Sequence, residues 1–118
     1  GGFHSPFMNE AAAAFRAELD PVGVKEPRIP VYGNRTAAPY GEDREATLAE
    51  QMRNPVLWTK TVERMAADGV DTFIEVGPGK TLSGLVKRIL PDAAVYRVED
   101  EKTLEETLRA LRETGGQE

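Results

Sequence analysis

Residues 70–98 constrain the fold more than any other stretch. Residues 70–76 (VDTFIEV) form a strand-length run rich in β-branched and aromatic side chains, and they lead directly into Gly77-Pro78-Gly79-Lys80. From about Thr81, Leu82, Leu85, Val86 and Ile89 recur at i, i+3, i+4 and i+7, the apolar stripe of a helix that Pro91 ends. Ala94-Val95-Tyr96-Arg97-Val98 then reads as another strand. Strand, helix and strand in that order predict a parallel pair, because two strands running the same way need a long connection between them.

The rest of the chain reads as further alternation. Pro6 suits a first helical position with Ser5 as its cap, and Met8, Ala12, Phe15 and Leu19 mark one stripe up to Asp20-Pro21. Residues 28–34 (RIPVYGN) read as a short strand, although Pro30 removes a ladder donor. Residues 36–42, with Pro39 and Gly41, read as a surface loop. A helix from about Asp43 puts Leu48 and Met52 on one face. Asn54-Pro55 reads as the cap and first residue of the next helix, with Trp58, Val62, Met65 and Ala66 as its stripe and Gly69 as its C-cap. A last helix, capped by Asp100 or a neighbour, carries Leu104, Leu108 and Leu111, and residues 114–118 read as a frayed tail. This order predicts an α/β fold with about three parallel strands and crossover helices. Parallel strands need cover on both faces, so three of them read as a piece of a larger sheet.

Charge and composition narrow the function. The formal net charge is −5, which counts against nucleic acid as a partner, since neutralising phosphates takes a surplus of Lys and Arg. No run approaches the roughly 20 apolar residues of a membrane span. Gly1-Gly2-Phe3-His4-Ser5-Pro6 lacks the basic start and apolar core of a secretory leader, so a cytoplasmic location is expected. With no cysteine and one histidine, disulfides, thiolate catalysis and cysteine or multi-histidine metal sites are excluded. No metal and no cofactor are expected.

Three motifs invite chemistry. Gly79-Lys80-Thr81 suggests a phosphate loop, but the required glycine five residues earlier is Ile74, so a tight strand-to-helix turn is the simpler reading. Ser5 and Ser83 are the two serines, and neither sits in the G-x-S-x-G pattern of a nucleophile elbow. His4, placed just ahead of a helix start, is the one imidazole and hence the one candidate general base of that type.

Taken together, four separated motifs carry a resemblance. They are Gly2-Phe3-His4-Ser5-Pro6-Phe7-Met8, Pro30-Val31-Tyr32-Gly33-Asn34, Glu50-Gln51 with Asn54-Pro55-Val56 and Trp58, and Glu75-Val76-Gly77-Pro78-Gly79-Lys80-Thr81-Leu82. In this order they closely resemble the C-terminal part of malonyl-CoA:acyl carrier protein transacylases, from Gly1 to about Val98. Gly2 and Phe7 depart from the residues expected there. The resemblance implies a portion of an α/β-hydrolase-like acyltransferase core, without its N-terminal half and ferredoxin-like subdomain. It implies malonyl transfer from malonyl-CoA to the phosphopantetheine thiol of acyl carrier protein in fatty-acid biosynthesis, by a Ser–His ping-pong route. His4 matches the catalytic histidine, and Gln51 the residue whose main-chain carbonyl orients it. Phe3 matches an aromatic that goes with malonyl over methylmalonyl. The serine, the carboxylate-binding arginine and the oxyanion amides would lie in polypeptide before Gly1, so the fragment alone is expected to be inactive. Lys80, Lys87 and Arg88 read equally as a local basic face that would dock the carrier protein and as a solvated helix face. A polyketide-type acyltransferase domain and a non-catalytic scaffold of the same fold are the rival readings.

Overall fold

The computed structural model describes residues 2–115. The chain divides into two compact units, Gly1–Arg64 and Met65–Glu118. It is an α/β protein with five α-helices, one antiparallel and one parallel two-stranded sheet among the described residues.

In the first unit a 3-10 turn, Pro6–Met8, leads into α1, Asn9–Leu19. Proline at its first position gives up an amide that no helix would have used. The Ser5 hydroxyl does not cap this turn as the sequence suggests; it turns back to donate to the Gly2 carbonyl, while the Ser5 carbonyl accepts from Met8 N at 3.0 Å. Next come β1, Tyr32–Gly33, and β2, Ala38–Pro39, paired antiparallel with Tyr32 opposite Pro39. The third parallel strand expected from 28–34 is therefore corrected: this segment supplies one arm of a two-residue hairpin, and part of the expected 36–42 loop supplies the other. Pro30 and Pro39 lack the amides that a longer ladder would use.

Helix α2, Arg44–Glu50, is capped by Asp43, whose carboxylate accepts from Ala46 N at 2.9 Å. Its small buried face is Ala49, and α1 packs on it through Ala12. Asn54 does not cap the next helix. Its carboxamide donates to the Glu50 carbonyl at 2.8 Å and closes the end of α2 instead. Helix α3, Trp58–Ala67, begins three residues after Pro55 and buries Thr61 and Val62.

The second unit is the βαβ element expected from residues 70–98. β3, Thr72–Val76, and β4, Ala94–Val98, pair in parallel, with Thr72 opposite Ala94 and Val76 opposite Val98. Between them runs α4, Thr81–Ile89, which buries Val86. The turn into α4 needs two glycines, since Gly77 and Gly79 have φ of 136° and 85°. Helix α5, Glu101–Gly115, packs on β4 and buries Thr103 and Thr107. Thr114 and Gly115, read as tail from the sequence, are its last residues; 116–118 lie outside the described residues.

Candidate active site

His4 and Gln51 are 47 residues apart in sequence and meet in the first unit. The meeting point is the C-terminal end of α2, where the last carbonyls of a helix have no intrahelical partner. His4 takes the carbonyls of the two residues that follow the helix, Gln51 and Met52. Its backbone amide donates to the Met52 carbonyl at 3.0 Å, and its ring Nδ1 lies 2.8 Å from the Gln51 carbonyl oxygen. A carbonyl only accepts, so a neutral ring in this bond carries its proton on Nδ1 and leaves the Nε2 lone pair open. The ring is exposed. A helix C-terminus also presents partial negative charge, so the acceptor side of the pair is more electronegative than an isolated amide.

The backbone of His4 is in the left-handed region, at φ 59°. Such a conformation costs a non-glycine residue roughly 1–3 kcal/mol and persists only where surrounding bonds hold it. Here the bonds from His4 to residues 51 and 52 and the Ser5 hydroxyl bond to Gly2 supply that restraint. Sequence pattern carries no signal for this strain. Phe3, next to the histidine, is 74% exposed.

Gln51 is itself held from two sides. Asn34 Nδ2 donates to its Oε1 at 3.4 Å, and its Nε2 donates to the Tyr40 hydroxyl at 2.5 Å. Asn34 belongs to one of the motifs read from sequence. Tyr40 lay in the expected loop and carried no signal there.

The remaining sequence candidates belong to the second unit. Lys80 is exposed at the start of α4. Lys87 and Arg88 are exposed in its last turn, and the Lys87 ammonium donates to the carbonyls of Ala93 at 2.6 Å and Pro91 at 3.3 Å. The Gly79 amide, which a phosphate loop would aim at its ligand, donates to Glu99 at 2.7 Å. Glu75, at the end of β3, accepts from Ser83 Oγ at 2.7 Å and from Ser83 N at 2.9 Å, capping α4 from the strand. Those bonds, led by the Ser83 hydroxyl, hold its carboxyl below the usual glutamate range.

No family model matches the chain. Among curated proteins, the malonyl CoA-acyl carrier protein transacylase of Bacillus subtilis (strain 168) is 38% identical over 115 residues, covering 96% of this chain and 36% of that protein. Among solved structures, the malonyl CoA-acyl carrier protein transacylase from Clostridium perfringens superposes with a TM-score of 0.90 at 41% identity, again over 96% of this chain and 36% of the other. A malonyl-transacylase solved in complex with a type II PKS acyl-carrier protein superposes at 0.87 with 32% identity, over 92% of this chain and 36% of that one. The chain thus spans about 36% of the length of each of these three relatives. By sequence and by fold, it is homologous to a part, about a third, of the malonyl CoA-acyl carrier protein transacylases.

Proposed function

We propose that this chain supplies the histidine half of an acyltransferase site that moves malonyl from malonyl-CoA to the phosphopantetheine thiol of acyl carrier protein, in fatty-acid biosynthesis. The observation that carries the reading is the exposed His4 ring with Nδ1 on the Gln51 carbonyl, in a chain homologous to malonyl CoA-acyl carrier protein transacylases. His4 Nε2 takes the proton of a serine hydroxyl from polypeptide outside these 118 residues. The serine oxygen attacks the thioester carbonyl, and the tetrahedral adduct collapses to an acyl-serine with loss of the coenzyme A thiolate. The imidazolium returns its proton to that thiolate. In the second half His4 deprotonates the carrier thiol, which attacks the acyl-serine, and the proton goes back to the serine oxygen.

The Gln51 carbonyl does the work an aspartate does in a serine hydrolase triad: it fixes the tautomer and faces the imidazolium. Phe3, exposed beside the base, is the residue we assign to favouring malonyl, since a branched α-carbon would meet its ring. Carrier docking is assigned to Lys80 and Arg88 more than to Lys87, whose ammonium is already bonded to two carbonyls. Such contacts at exposed side chains are screened by salt and act mainly on encounter.

The test uses the full-length enzyme. His4→Ala removes the base, and turnover is expected to fall about 10²–10⁴-fold, the usual worth of a positioned acid–base group. Gln51→Ala keeps the main-chain oxygen and is expected to cost less. Equal losses in the two variants, measured as kcat for malonyl transfer, would contradict the assignment.

A further inference from the structure

Resting on the reading of His4 and Gln51 above, we propose that Tyr40 and Asn34 are positioning residues that act on the His4 tautomer through the Gln51 side chain. The acceptor for His4 Nδ1 is the carbonyl of the residue just beyond the last residue of α2. The peptide there is held on its amide side, where Met52 N donates to the Ala49 carbonyl at 3.2 Å, and the preceding amide, Gln51 N, donates to the Thr47 carbonyl at 3.3 Å, long bonds of a helix end. The Gln51 carboxamide adds a second tie, from the hairpin side. Asn34 donates to its oxygen at 3.4 Å, and its nitrogen donates to Tyr40 at 2.5 Å, so both ends of the amide are bound.

The two anchors sit on either side of one hairpin. Asn34 comes directly after β1 and Tyr40 directly after β2, and Tyr40 N closes the ladder on the Val31 carbonyl at 2.8 Å. The Asn34 carbonyl in turn accepts from Leu57 N at 2.8 Å, so its backbone is fixed as well. Gly33 makes room for the clamp: a β-carbon there would stand 2.6 Å from Tyr40 Cε1 and 3.1 Å from its Cδ1. Hairpin, carboxamide, carbonyl and imidazole form one chain of contacts within the first unit.

His4 is the single histidine, so ¹⁵N labelling at histidine gives one imidazole to read in the 118-residue chain itself. At about pH 8.5, where an ordinary imidazole is neutral, the ring nitrogen shifts report which nitrogen carries the proton. The parent ring is expected in the Nδ1–H form. Tyr40→Phe deletes one oxygen, and Asn34→Ala the opposite anchor. Each is expected to raise the Nε2–H share about fivefold, the bias one ordinary hydrogen bond exerts. Gln51→Glu retains an acceptor for Asn34 and for the Tyr40 hydroxyl, which then donates, and is expected to stay close to the parent ratio. A purely structural role for Tyr40 would lower the melting temperature and leave the ratio below melting untouched. An unchanged Nδ1–H ring in both Tyr40→Phe and Gln51→Ala overturns the clamp while leaving the catalytic reading intact. A parent ring in the Nε2–H form overturns the two together.

Discussion

His4 shows how one residue can be set by bonds that are individually ordinary. Its left-handed backbone is unfavourable, and the compensating contacts reach it from a helix end 47 residues away in sequence. Gly33 is a second such residue, required for space rather than for an unusual φ. Alanine at this position would need the Tyr40 ring to move by several tenths of an ångström, and Thr36 Oγ1 is also only 3.2 Å from the added carbon. Because the ring is pinned at its hydroxyl, Gly33→Ala is expected to destabilise the first unit by about 1–3 kcal/mol, the usual range for overpacking. A lower urea midpoint at unchanged slope would be the signature. The glycine in residues 30–34 was visible in the sequence as part of a motif; its reason was not, since the atoms it makes room for come from the other arm of the hairpin.

Elements differ in how they hold their ends. In the second unit three carboxylates close the helix starts. Glu75 accepts from the Ser83 hydroxyl and amide, and Glu99 accepts from the Gly79 amide and from Arg97. Asp100 accepts from the Thr103 amide at 2.9 Å, while Thr103 Oγ1 accepts from the Asp100 amide at 3.1 Å, a reciprocal cap on α5. Each of the three carboxyls is held below its ordinary range, chiefly by those hydrogen bonds. A depressed folded value means that the unfolded chain binds protons first as pH falls. The stabilisation is therefore complete above the unfolded values, about 4.3 for Glu and 3.9 for Asp, and is lost as pH drops through them toward the lower folded ones. Melting monitored by far-UV circular dichroism should be nearly flat from pH 7 to about pH 5 and decline below about pH 4. Glu50, lowered by its Arg53 hydrogen bond, adds to the same decline from the first unit. Glu75→Gln should make the fall shallower; an unchanged profile would show that the cap carries no linkage.

At the scale of the molecule, activity and fold separate. The chain holds one candidate base and no serine in an elbow pattern, so malonyl transfer by the isolated 118 residues is expected to be absent. A coupled thiol-release assay with malonyl-CoA and carrier protein checks this; measurable turnover without added polypeptide would refute it. The secondary elements of the second unit were legible because each reports on itself: a β-rich run, two positive-φ glycines, an i, i+3, i+4, i+7 stripe, an acidic cap. The hairpin was not, since two residues in each arm leave no period to read, and prolines that argue against a ladder fit its short arms well. Nor was the end of α2, where Asn54 looks like a cap for α3 but is bonded to the Glu50 carbonyl behind it. Residue order alone was enough to specify most of the local elements and to mark His4 as a candidate base, while Gln51 came in through the resemblance that the four spaced motifs carry. It took the folded chain to establish that the ring meets the Gln51 oxygen through Nδ1 and that Tyr40 and Asn34 hold that residue. Hydrogen bonds across 47 and 11 residues depend on where the chain returns, which no local pattern encodes.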